Sequence, residues 1–122
     1  AEVLVTDSSR LYSLIEKQKG VRPLYQSYEG EPMPTTISFD NETSETRTVI
    51  EIETEDRVGL LYAISQTLSE LDLNISAAKI ITEKGAAIDN FYVSELDGQK
   101  VLEENRQKSV ERKLREAIRP LE

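Results

Sequence analysis

From Thr48 to Ala63 the chain reads T-V-I-E-I-E-T-E-D-R-V-G-L-L-Y-A, an alternating segment that runs through a short acidic turn into a helical one. Over Thr48–Thr54, Ile50 and Ile52 share one face of a strand, and Val49, Glu51 and Glu53 give the other an acidic character. Beyond the turn, Leu60 or Leu61, Ile64, Leu68 and Leu71 recur every three or four residues, so the helix lies on a sheet through a leucine stripe and ends near Leu71 or Asp72. Asp56 stands where an N-cap is expected.

Two long strands are expected next, Asn74–Glu83 and Ala86–Glu95, with only Lys84-Gly85 between them, the spacing of a tight hairpin. Their apolar residues (Ala77, Ala78, Ile80, Ile81, Ile88, Phe91, Tyr92 and Val93) do not fall on one side. That pattern implies cover on both sheet faces, one by helices of the same chain and one by a neighbour, either a homodimer partner or a tandem copy. Asp97-Gly98 marks a turn, and a last helix is expected from about Glu103 or Glu104 to Ile118, stopped before Pro120, with Val110, Leu114, Ala117 and Ile118 inward. Its basic residues between Arg106 and Arg119 share it with Glu111 and Glu116, so a solvated face with i,i+4 pairs is favoured over a nucleic-acid reader.

The resulting order is strand, helix, strand, strand, helix. It predicts an α+β, ferredoxin-like (βαββαβ) unit: an antiparallel sheet with two helices on one face, its final strand missing or replaced from the N-terminal side. Thr35–Asp40, with Ile37 and Phe39 in phase, is the candidate replacement, and Asn41–Thr46 turns the chain between it and Thr48.

Ahead of this unit, residues 1–5 read as a short strand or the tail of one, and Asp7 or Ser8 can cap a helix to about Lys19 that carries Leu11, Leu14 and Ile15 and stops at Gly20. Val21–Pro34, with Pro23, Pro32 and Pro34, reads as an extended linker; Tyr12, Tyr25 and Tyr28 are read as packing residues, with recognition as the alternative. The expected division is 1–20 as a remnant helix, 21–45 as linker and 46–119 as the main domain. Ala1 and the closing Leu121-Glu122 suggest a piece of a longer protein.

Composition narrows the chemistry. The 122 residues suit one domain with a modest core. Without cysteine or histidine there is no disulfide, thiolate nucleophile, imidazole base or ordinary zinc site, and a cytoplasmic setting is expected. Fifteen basic against 23 acidic residues give a net charge of -8, which argues against nucleic-acid binding. No apolar run approaches the roughly 20 residues needed to cross a bilayer, so no membrane partner is expected. No catalytic constellation, metal site or cofactor motif emerges; Glu53, Glu55 and Asp56 cluster without a partner base or nucleophile.

What remains is the strand-to-helix junction. Unpaired backbone amides near Val58, Gly59 and Leu60 can receive a carboxylate, and Gly59 leaves room for close approach. Asp56 can attract an ammonium group, and the Asn74 amide can both donate and accept. A purely structural reading stands beside this one: Asp56 a cap, Arg57 a surface charge, Gly59 a close helix–sheet contact and Asn74 a turn residue.

Asp56-Arg57-Val58-Gly59-Leu60-Leu61, followed after one helix by Leu73-Asn74-Ile75-Ser76, resembles the ACT domain family, small regulatory modules that bind amino acids, over residues 46–118. Ile37-Ser38-Phe39-Asp40-Asn41-Glu42 before Thr48-Val49-Ile50-Glu51, and Asp89-Asn90-Phe91-Tyr92-Val93, are similar to the C-terminal ACT domains of bacterial PII uridylyltransferase/uridylyl-removing enzymes. The resemblance implies a non-catalytic, amino-acid-binding (glutamine) regulatory domain of a nitrogen-metabolism enzyme, with the PII signalling protein as the parent's partner. It implies a ligand site of Asp56, Arg57, Val58, Gly59, Leu60, Asn74 and Ile75, in which Asn74 faces the helix start across a dimer or domain interface. Val58 replaces the proline usual in the family, removing a rigid helix-start constraint. An oligomerisation or docking module without a ligand, or the amino-acid-sensing domain of another metabolic or signalling enzyme, are the alternatives; a separate small-molecule enzyme is disfavoured.

Overall fold

The computed structural model describes residues 2–5 and 34–121. The helix expected to about Lys19 and the proline-rich stretch through residue 33 lie outside the described residues. The elements in chain order are β1 (Glu2–Val5), β2 (Thr36–Asp40), β3 (Thr48–Glu55), α1 (Leu60–Glu70), β4 (Leu73–Glu83), β5 (Ala86–Glu95) and α2 (Glu104–Ile118), which runs on into a 3-10 turn at Arg119–Leu121.

The strands form an antiparallel sheet in the order β1-β4-β5-β3-β2. Four of them, β4-β5-β3-β2, with α1 and α2 make the ferredoxin-like unit. The edge position beside β3, which a strand after α2 would ordinarily fill, is taken by β2 from before β3, so Ile37 and Phe39 do supply the missing strand: Ile37 lies opposite Ile52 and Phe39 opposite Ile50. β1 adds a further strand at the other edge, with Val3 opposite Ile80.

Alternation explains the core. Ile50 and Ile52 of β3, Phe91 and Val93 of β5, Ala78 and Ile80 of β4 and Ile37 of β2 join one buried cluster with Leu60, Leu61, Ile64 and Leu68 of α1 and Val110, Leu114 and Ile118 of α2. Both helices therefore cover the same sheet face.

In β4 the register slips between Ile75 and Ala77, so that Ser76 and Ala77 share the place opposite Tyr92. This bulge changes the phase of the alternation: Leu73 and Ile75 point to the helices before it, Ala78 and Ile80 after it. The unphased apolar residues of this hairpin thus owe part of their pattern to the bulge and not to a second covered face alone.

The connections carry the expected turn chemistry. Lys84 and Gly85 both have positive φ, 50° and 80°, as a two-residue hairpin of this hand requires. Asp40 closes the turn after β2: the Thr43 hydroxyl, then the Glu42 and Thr43 amides, hydrogen-bond its carboxylate and hold it below the usual range. A buried polar brace fastens the chain entering α2. The Val101 amide donates to the Thr48 hydroxyl at 2.7 Å, that hydroxyl donates to Asn41 Oδ1 at 2.5 Å, and Asn41 Nδ2 donates to the Val101 carbonyl at 3.1 Å. On α2, Lys108–Glu104 and Arg115–Glu111 are i,i+4 pairs, as expected of a solvated face.

Candidate functional site

The junction between β3 and α1 is held at both ends. The Asp56 amide donates to the Gly85 carbonyl at 2.8 Å, which ties the start of the loop to the tip of the β4–β5 hairpin. The Leu60 amide donates to the Arg57 carbonyl at 3.1 Å, and the Ala63 amide to the Gly59 carbonyl at 2.9 Å. Gly59, not Asp56, is the N-cap: its φ of 83° turns the chain into the helix, and no side chain caps α1. Asp56 therefore lies ahead of the cap and does not cap α1, which corrects the sequence expectation.

Leu60 is likewise removed from the expected set of open donors, because its amide is spent on Arg57 within the turn. Among the described residues, the Val58 and Gly59 amides make no such bond. The Arg57 guanidinium pairs with Glu55, with its Nε buried and without a partner. Val58 is exposed and Leu60 is core.

Asn74 and Ile75 sit elsewhere. They open β4, just after α1 ends, so the eleven-residue helix separates them from Gly59 by about 16 Å along its axis. Asn74 is exposed and stands opposite Ser94, whereas Ile75 packs against the core. Within one chain the seven residues thus form two groups at opposite ends of α1.

Asp89 was absent from the expected set. It pairs with Ile52 on one side and Ile80 on the other, on the helix-covered face, and is 2% exposed. Its carboxyl receives the Ile81 amide, while Oδ1 has no partner. Burial first, and then the like charge of Asp56, push it up to about 7. The signal was in the sequence: Asp89 is in phase with Ala87, Phe91 and Val93, the inward positions of β5. Among the described residues no group of three or more potential ligands is placed to hold a metal ion, and no helix is long and apolar enough to cross a membrane.

Comparison with known proteins gives this architecture its kinship. The bifunctional uridylyltransferase/uridylyl-removing enzyme of Cereibacter sphaeroides is 46% identical over 85 residues, 70% of this chain and 9% of the relative. Those of Ruegeria pomeroyi and Azospirillum brasilense are each 43% identical over 86 residues, again 70% of this chain, and 10% and 9% of the relatives. The chain spans about a tenth of the length of the curated relatives it matches. No solved structure matches it. The ACR9-like, ACT-like domain matches residues 36–122, a span that takes in β2 together with the rest of the helix-covered sheet, and this chain belongs to that ACT-like family.

Proposed function

We propose that the chain is the regulatory amino-acid-binding domain, for glutamine, of a PII uridylyltransferase/uridylyl-removing enzyme, without catalytic activity of its own. One observation carries the reading: the candidate residues divide between the two ends of α1, as expected of a site that a second copy completes. The kinship with uridylyltransferase/uridylyl-removing enzymes supports the parent's identity. In this reading the Val58 and Gly59 amides take the ligand carboxylate, Asp56 draws the ammonium group, and Arg57 and Leu60 shape the junction. Asn74 and Ile75 of another copy, from a homodimer or a tandem repeat, face them. Residues 1–20 derive from the preceding copy, β1 among them pairing with β4 of this sheet, and the stretch from 21 links the two up to β2, which completes this domain's sheet. The parent passes the signal to the PII protein in the cytoplasm.

Calorimetric titration with each of the twenty amino acids, on this chain and on the tandem form, tests the proposal. Glutamine binding that weakens at least about tenfold in Asn74→Ala is expected, the cost of removing a polar contact to ligand. No binding by either form at millimolar concentration leaves the alternative, an ACT-fold oligomerisation or docking module. Binding of a different amino acid moves the domain to another metabolic enzyme. Sedimentation of the chain is expected to give a dimer in the homodimer form of the proposal.

A further inference from the structure

Asp89 is the one ionisable residue in the buried set of the described residues. The surfaces that enclose it are neutral. α1 turns Leu60, Leu61, Ile64, Ser65 and Leu68 inward, and α2 turns Val110, Leu114 and Ile118 inward. Ile52 and Ile80 flank Asp89 in the sheet, while Glu51, Glu53 and Lys79 alternate to the opposite face. The Arg57 guanidinium pairs with Glu55, its Nε left without a partner, and that of Arg115 is held by Glu111 and the Thr35 carbonyl; neither cation acts on the Asp89 charge. The charge that acts on Asp89 is that of Asp56, of the same sign, at the start of the junction loop.

An ionised carboxylate here has a single amide donor and an unpartnered oxygen, so its charge must be relieved by movement or by water. The least restrained neighbour will yield. β3, β4 and β5 are locked by continuous pairing on both sides of Asp89. The junction loop lies outside that ladder: its backbone ties include Asp56 to Gly85, Leu60 to Arg57 and Ala63 to Gly59, and it carries the repelling charge.

We propose that Asp89 is a proton-operated lock on the strand-to-helix junction: its neutral carboxyl closes the core beneath α1, and its ionisation, opposed by Asp56, loosens the loop from Asp56 to Gly59 and the first turn of α1. The proton leaves to solvent, and the negative charge left behind is what the loop moves to relieve. The lock operates whether or not the junction binds an amino acid, so it stands independently of the sensor reading.

Nuclear magnetic resonance of the full chain tests it, with the Asp89 carboxyl carbon and the Asp56, Leu60 and Ala63 amides followed against pH. The expected result is a carboxyl midpoint near about 7, with the three amides shifting at that same midpoint. Hydrogen exchange at Leu60 and Ala63, corrected for the intrinsic effect of pH, is expected to speed up about tenfold as Asp89 ionises. Asp89→Asn is expected to remove the amide transition and keep exchange slow, and Asp56→Asn to lower the Asp89 midpoint in the otherwise native chain. A carboxyl midpoint below about 5, amides that ignore the carboxyl titration, or an unchanged amide transition in Asp89→Asn overturns the proposal. Should Asp89→Asn fail to fold, the wild-type titration and its response to Asp56→Asn decide the matter in the same terms.

Discussion

Arg106 of α2 grips Glu95 at the end of β5 with both prongs of its guanidinium, Nε at 3.1 Å and Nη2 at 2.9 Å, and Nη2 also donates to the Leu71 carbonyl at the end of α1. One side chain thereby joins both helices to the sheet. Both partners are about a quarter exposed, so solvent only partly screens the pair. Arg106→Ala should lower unfolding free energy by about 1–3 kcal/mol in urea denaturation, because it strands Glu95 and the Leu71 carbonyl together. Arg106→Lys should recover less than half of the loss, since an ammonium cannot reproduce the planar fork.

The buried carboxyl sets a pH dependence of stability. Asp89 rises on folding from its ordinary 3.8 to about 7, so over this interval the native state holds a proton that the unfolded chain releases. Its stabilising contribution is complete below about pH 4 and is lost as pH climbs through about 7. The full loss is on the order of 4 kcal/mol. Denaturation curves at acid and alkaline pH should show Asp89→Asn more stable than wild type at about pH 8 and nearly equal to it at about pH 3. A less stable variant at alkaline pH would mean that the ionised form has a partner.

Gly59 is required for its backbone and not for space. Its φ is +83°, yet a methyl group placed there meets nothing within 4 Å. Gly59→Ala should therefore cost about 1–2 kcal/mol from the left-handed conformation alone. Gly59→Asn should cost less, because asparagine tolerates that region. Thermal denaturation of the two variants compares them directly.

Thr48 is fully buried, and its hydroxyl serves the Val101 amide and Asn41 at once. Thr48→Val preserves the shape but leaves that buried amide without an acceptor, at a cost of about 1–3 kcal/mol. Thr48→Ser should retain most of the stability, losing only a methyl group. Exchange of the Val101 amide is expected to be slow in wild type and in the serine variant and fast in the valine one.

Local pattern alone determined the sequence of elements. The leucine spacing of α1, the Lys84-Gly85 turn and the stop ahead of Pro120 act within a few residues of themselves, so periodicity and turn chemistry could be read directly. Ile37 and Phe39 were also legible as half of a strand, because alternation survives in five residues. Tertiary structure decided where that strand goes, and that Ser76 bulges so that both halves of β4 feed one core. It likewise moved the cap of α1 from Asp56 to Gly59, since a loop tied to Gly85 begins its helix later than its acidic residue suggests. Above all it placed Asp89 between Ile52 and Ile80 beneath two apolar helix faces. The sequence supplies the carboxyl and its phase, but its charge state depends on which groups from distant segments surround it, and only packing brings those together.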